Sequence, residues 1–332
     1  MPAFLCFFIL CASAAAQGVA MPPAAGTVDF IREPKPIFPA AYFSWYLQAL
    51  DAAEAARPYW ALTEGESNAL AVSSPWESIL LNNDILAFYG HPKSKNMGIL
   101  GRYTKEELNE QLTALAAEYR KAGGRDILKA FYIIFGTVWP GGDIGVIQES
   151  LLKEYIEYAQ ENGILVFLDH QIGRFTPAES IKKMLPWLKY PNVHLALDPE
   201  WRTTKPMQEI GTVTADEINQ VQRIMQDYMI ENQIPGERLL VIHQFNWRMI
   251  SSREKVESNF PKVRLVHCAD GFGNPQTKKA SYAYNAQAAN IPVKAFKLFY
   301  NFNIPGAGYD SPLLTPKEVF ELNPRPYIVM YQ

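Results

Sequence analysis

From residue 84 onward, short apolar runs alternate with stretches of helical periodicity. Eight such runs lie at 85–89, 127–135, 164–169, 193–198, 239–244, 263–267, 293–300 and 327–332, and they are rich in β-branched and aromatic residues. Strands separated by helical segments predict parallel βαβ units. Eight strands in a stretch of roughly 250 residues predict one (β/α)8 TIM barrel over 84–332, of the α/β class. An open doubly wound sheet is the main rival. It would bring a Gly-rich first turn, and no G-x-G-x-x-G follows any of these strands.

Helix starts are legible as well. Thr104-x-x-Glu107, Thr176-x-x-Glu179, Thr214-x-x-Glu217 and Thr315-x-x-Glu318 have the spacing of a capping box, in which Thr and Glu side chains satisfy orphaned backbone donors. Pro177 and Pro316 stand just inside two of these starts, where a missing N–H costs nothing.

Upstream the pattern changes. Residues 1–16 hold an apolar run and then small residues, with Ala14-Ala15-Ala16 fitting an A-x-A cleavage pattern, although no Lys or Arg precedes Arg32. This predicts an exported protein, secreted or periplasmic, without a membrane span. Residues 17–38 read as a Pro-rich linker. Residues 39–83 read as a helical extension packing on the barrel, with a helix at 40–57 expected to cover the eighth strand.

Composition narrows the function classes. The chain has 332 residues, 48% hydrophobic and 20% charged, which is ordinary for a globular protein. Lys plus Arg number 31 against 34 for Asp plus Glu, a net charge of -3 with no basic stripe, so nucleic acid is not an expected partner. Of three cysteines, Cys6 and Cys11 lie in the signal-like segment, leaving Cys268 without a disulfide partner. No Cys/His cluster has zinc spacing, so no cofactor or metal is expected. A monomer with a carbohydrate ligand is the expected state.

Barrels of this kind carry their active sites at the C-terminal ends of the strands. Here those ends read Tyr89-Gly90-His91, Asp169-His170-Gln171, Asp198-Pro199-Glu200-Trp201, His243-Gln244, His267-Cys268-Ala269-Asp270, Lys297 to Tyr300, and Tyr331-Gln332. Asp198-x-Glu200 is the sharpest feature. Residues two apart on an extended strand share a side, so both carboxyls are expected to face the mouth, with Val193, Leu195 and Leu197 turned to the helices. Two carboxylates so close cannot both ionise freely, which suits one of them to acid–base work.

This D-x-E at the end of the fourth strand resembles that of chitinase-type and Chalaropsis-lysozyme-type barrel glycoside hydrolases. The resemblance implies Glu200 as proton donor and Asp198 as its helper. It departs from the chitinase D-x-x-D-x-D-x-E, because Ala196 replaces the middle Asp, and Tyr89-Gly90-His91 replaces the lysozymes' strand-one start. A broader set of segments, from Gly90-His91-Pro92 and Met97-Gly98-Ile99-Leu100-Gly101 through Asp270-Gly271-Phe272-Gly273 to Tyr331-Gln332, resembles a family of exported bacterial proteins without an established activity.

The leading expectation is therefore a secreted glycoside hydrolase acting on a cell-wall or environmental polysaccharide. Glu200, Asp198, Asp169 and Asp270 are its candidate catalytic residues. Tyr89, His91, Gln171, Trp201, His243, Gln244, Lys297, Tyr300 and Gln332 are candidates for substrate binding, with Trp201, Trp247 and Tyr300 as stacking platforms. A metal-dependent hydrolase, for instance of a phosphodiester, would use His91, Asp169, Asp198, His243 and Asp270. A non-catalytic glycan-binding barrel is the third reading.

Overall fold

A computed structural model describes residues 78–80 and 83–332. The signal-like segment, the linker and the expected helix at 40–57 lie outside the described residues.

Eight parallel strands close into a barrel: β1 (Asn83–His91), β3 (Asp126–Val138), β5 (Ile164–Gln171), β6 (Val193–Asp198), β8 (Arg238–His243), β10 (Val263–Ala269), β11 (Val293–Leu298) and β12 (Ile328–Tyr331). Closure is made by β1, which pairs with β12 on one side and with β3 on the other. All eight lie where the apolar runs predict them, and the (β/α)8 expectation holds. Two short strands add antiparallel edges at the mouth, β2 (Ser94–Gly98) on β1 and β4 (Ile144–Val146) on β3, while β7 (Val213–Thr214) pairs with β9 (Ile250–Ser251).

Helices α1 (Lys105–Lys121), α2 (Glu149–Glu161), α3 (Pro177–Met184), α4 (Ala215–Glu231), α5 (Pro275–Ala286) and α6 (Pro316–Phe320) connect the barrel strands. Thr104, Thr176, Thr214 and Thr315 all form the complete capping box, each hydroxyl accepting from a Glu N–H and each Glu accepting from the Thr N–H. Such a cap satisfies two orphan donors and stabilises a helix by about 1 kcal/mol. One unit departs from the regular alternation. Between β8 and β10 the chain makes two 3-10 turns, Trp247–Met249 and Arg253–Lys255, and no α-helix. Gln244 and Asn290 hold this segment in place, accepting from Arg253 and donating to the Arg253 and Val256 carbonyls respectively.

Side-chain alternation splits the core into two layers. Ile85, Ala87, Leu128, Ala130, Leu165, Phe167, Ala196, Leu239, Val241, Val266, Val293, Ala295, Ile328 and Met330 fill the barrel interior. The alternate residues, among them Val193, Leu195 and Leu197, pack outward against the helices. At the N-terminal end, Asp84 accepts from Arg125 (2.9 Å) and from Arg325, joining the starts of β1 and β3 to the approach to β12. This clamp secures the seam at the face opposite the mouth, where barrels concentrate stability.

Candidate active site

The same alternation that fills the interior with aliphatic side chains places polar ones at the top of it. Tyr89 on β1, Tyr132 on β3, Asp169 on β5, Asp198 on β6, His243 on β8, Cys268 on β10 and Lys297 on β11 each follow the inward positions of their strand, and all are buried. Asp270 continues the inward series one residue past β10.

His243 is the hub. Its Nδ1 lies 3.0 Å from Asp270 Oδ2, its Nε2 lies 2.7 Å from Tyr132 Oη and 3.9 Å from Asp169 Oδ2, and Cys268 stands in register beside it on β10. Burial disfavours a charged ring, but the neighbouring Cys268 and Asp169 and the hydrogen bond to Asp270 outweigh it, and the imidazole pKa is held well above 6.5. As an imidazolium both ring nitrogens donate, one to Asp270 and one to Tyr132. Asp270 answers in kind: burial would raise its pKa, yet the bond and charge of His243 pull it below 3.8. Tyr89 Oη donates to Asp169 Oδ2 at 2.8 Å, and the Lys297 Nζ lies 3.6 Å from the centre of the Tyr89 ring. A cation on that ring face is attracted by its quadrupole.

Asp198 and Glu200 behave differently. Asp198 is pushed up to about 7, first by burial, then by Asp270 and Asp169, with His243 and Lys297 opposing. Glu200 is raised well above the usual carboxylate range by burial and by the charges of Asp198 and Asp270. The two therefore share a site that resists double ionisation, as two adjacent carboxyls must. The reason they are adjacent is not the one expected from strand alternation. The strand ends at Asp198, and residues Pro199–Trp201 form a 3-10 turn whose cap is Asp198, Oδ1 accepting from the Glu200 N–H at 3.2 Å. An Asp cap followed by Pro with its fixed φ starts a turn rather than prolonging a strand. Glu200 is lifted to the rim: it is part-exposed, whereas Asp169, Asp198 and Asp270 are 0%, 2% and 5% exposed.

A buried cation sets the far wall. Lys278 on α5 donates to the carbonyls of Gly271 and Lys297 and lies 3.4 Å from Asp310 Oδ2. Asp310 in turn accepts from the N–H groups of Gly273 and Phe299. These bonds tie the loop after Asp270 to the strand that carries Lys297.

Several other expected site residues are used elsewhere. Gln171 accepts from the Val138 N–H and joins β5 to β3. His91 turns back to accept from the Lys93 N–H. Gln244 accepts from His267 and Arg253 in the layer behind β10. The Tyr300 ring stacks on Tyr331 in the outer layer, 5.1 Å between centroids, so it faces the helices rather than the acids. Gln332 makes backbone bonds with Leu298 and Tyr300. Trp201 lies part-exposed on the turn that carries Glu200, and Trp247 packs under the Arg248 guanidinium. Two members of the cluster are not among the expected site residues, Tyr132 and Cys268. The signal for Tyr132 is its register, opposite Tyr89 on the neighbouring strand. Among the described residues, no group of three or more His, Cys, Asp or Glu has the arrangement of a metal site, and no helix is long and apolar enough to cross a membrane.

No protein-family model matches this chain, and no curated protein matches it. Solved structures that it resembles include a chitinase from Rhizomucor miehei, 11% identical with a TM-score of 0.40, covering 65% of this chain and 68% of that one. A family 18 chitinase from Crocus vernus is 8% identical with a TM-score of 0.41, over 75% of this chain and 92% of the other. A chitinase from Chromobacterium violaceum is 11% identical with a TM-score of 0.38, over 73% and 76% of the two chains.

Proposed function

We propose that this barrel is a secreted glycoside hydrolase acting on a cell-wall or environmental polysaccharide, with Glu200 as general acid and Asp198 assisting it. One observation carries the reading. Of the four carboxyl groups at the mouth, Glu200 is the part-exposed one, and it is also a group whose proton is held well above the usual range. A general acid must meet both conditions, reaching the glycosidic oxygen from solvent and carrying its proton near neutral pH. In the reaction the bond between anomeric carbon and glycosidic oxygen breaks, and the leaving oxygen takes the Glu200 proton. Water then supplies the hydroxyl to the anomeric carbon and returns its proton to a carboxylate. Asp198 holds the Glu200 backbone at the turn and keeps its proton in place by charge. The cationic His243 between Asp169 and Asp270 balances the charge beneath them.

The test is release of reducing ends from a panel of cell-wall and environmental polysaccharides. Wild type is expected to cleave a member of the panel, and Glu200→Gln is expected to lose ~100-fold or more in rate. Cleavage unchanged in Glu200→Gln would overturn the assignment. Binding without turnover by wild type would favour a glycan-binding barrel, and loss of turnover on chelation a metal-dependent hydrolase.

A further inference from the structure

Lys297 is 3% exposed, at the inward end of β11. Its ammonium lies on the Tyr89 ring, and among the described residues it has no hydrogen-bond acceptor and no carboxylate within ion-pair distance. An ammonium with this little contact with water and no acceptor beside it is expensive. The nearby acids do not fill the need. Asp270 is bonded to His243, and Asp169 accepts from Tyr89 at Oδ2, the oxygen that His243 Nε2 also approaches, at 3.9 Å. Asp198 and Glu200 share a site that resists double ionisation, so they do not supply two negative charges.

Two acceptors in the same cluster are also unused. Asp169 Oδ1 and Asp270 Oδ1 are buried and have no hydrogen-bond partner. Buried polar atoms are nearly always satisfied, so these two, beside an ammonium that also lacks an acceptor, point to a ligand that completes them. The demand is mixed: one full positive charge asks for an anion, and two carboxylate oxygens ask for hydroxyl donors.

We propose that Lys297 recognises the carboxylate of a uronic acid residue, with Asp169 and Asp270 taking up hydroxyls of the same ring, so that the substrate is an acidic polysaccharide. This rests on the glycoside hydrolase reading above, but it is tested by binding and stands apart from turnover. A charge-assisted bond to the sugar carboxylate is absent from the neutral sugar of the same configuration.

The experiment is calorimetric titration of the full chain with galacturonate and glucuronate against galactose and glucose, for wild type, Lys297→Gln and Lys297→Arg. Wild type is expected to bind one of the uronates about tenfold or more tightly than its neutral counterpart, with the preference weakening as salt is raised. Lys297→Gln is expected to abolish the preference and Lys297→Arg to retain part of it. Equal or tighter binding of the neutral sugars, an equal loss for both classes in Lys297→Gln, or no binding of any of the four would overturn the proposal. If Lys297→Gln does not fold, the wild-type preference and the Lys297→Arg variant decide the matter. Uronate preference without cleavage of any polysaccharide would leave this inference standing and remove the hydrolase reading. Cleavage of neutral polysaccharides alone would do the reverse.

Discussion

His243 donates from Nδ1 to Asp270 Oδ2 at 3.0 Å, and both side chains are buried at the centre of the barrel mouth. The pair is an ion pair by the direction of both shifts, the imidazole raised and the carboxylate lowered. The raised His243 pKa contributes stability that is fully present below the unfolded value near 6.5 and is lost as pH rises through the folded value. The lowered Asp270 pKa contributes stability present above about 3.8 and lost as pH falls through its folded value. Asp270→Asn leaves a buried imidazole short of its counter-charge and is expected to cost about 3 kcal/mol at neutral pH, with the gap to wild type closing in strong acid. Urea unfolding at a series of pH values checks this. Ring titration by NMR is expected to show the His243 midpoint falling in the variant; an unmoved midpoint and unchanged stability would contradict the pairing.

The pH dependence of turnover follows from the Asp198–Glu200 pair. Glu200 acts in its protonated form, so kcat/KM is expected to fall on the alkaline side as Glu200 ionises. Burial holds that ionisation high, and the Asp198 charge holds it higher. Asp198→Asn removes the charge, so the alkaline limb is expected to move to lower pH while the burial contribution persists. A pH–rate profile in which the limb stays or moves upward would place the titrating group elsewhere.

Glycine geometry carries the first wall of the site. Gly98 has φ +88°, and a Cβ there would stand 2.3 Å from the carbonyl oxygen of Tyr89, the residue that donates to Asp169. The left-handed backbone alone costs an L-residue about 1–3 kcal/mol. Gly98→Ala is therefore expected to lower stability by about 2 kcal/mol or more and to reduce turnover by shifting Tyr89. Thermal unfolding and initial rates measured together check it. Tyr89→Phe, which keeps the ring and removes the hydroxyl, separates the two effects.

The barrel was legible because its signals are local. Strand runs, capping boxes and turn prolines each act within a few residues, and tertiary packing agreed with them. The missing helix between β8 and β10 was harder to foresee, since side chains from distant segments such as Gln244 and Asn290 hold that connection. At the mouth, position in the strand is legible, and strand alternation then decides which side each residue takes. Asp169 and His170 are neighbours, yet Asp169 points in while His170 packs outward beside Phe135, 6.0 Å away, its pKa pushed down to about 3 by burial. Cys268 and His267 divide the same way, with His267 accepting from Lys294 behind β10. Four strand-end histidines thus reduce to His243 as the one at the centre of the cluster. Asp198 was placed by the strand, but Glu200 depends on the turn that Asp198 and Pro199 begin. Tyr132 sits in mid-strand, and what makes it part of the site is its register against Tyr89 and its bond to His243.

Delivery of the proton from Glu200 to the leaving group is tested by varying how much the leaving group needs that proton. Aryl glycosides of the sugar that wild type cleaves would be compared between wild type and Glu200→Gln, one series with poor leaving groups and one with highly acidic phenols. A loss of ~100-fold or more is expected for the poor leaving groups, and little loss of bond cleavage for the acidic phenols, which depart without protonation. An equal loss for both series would contradict it.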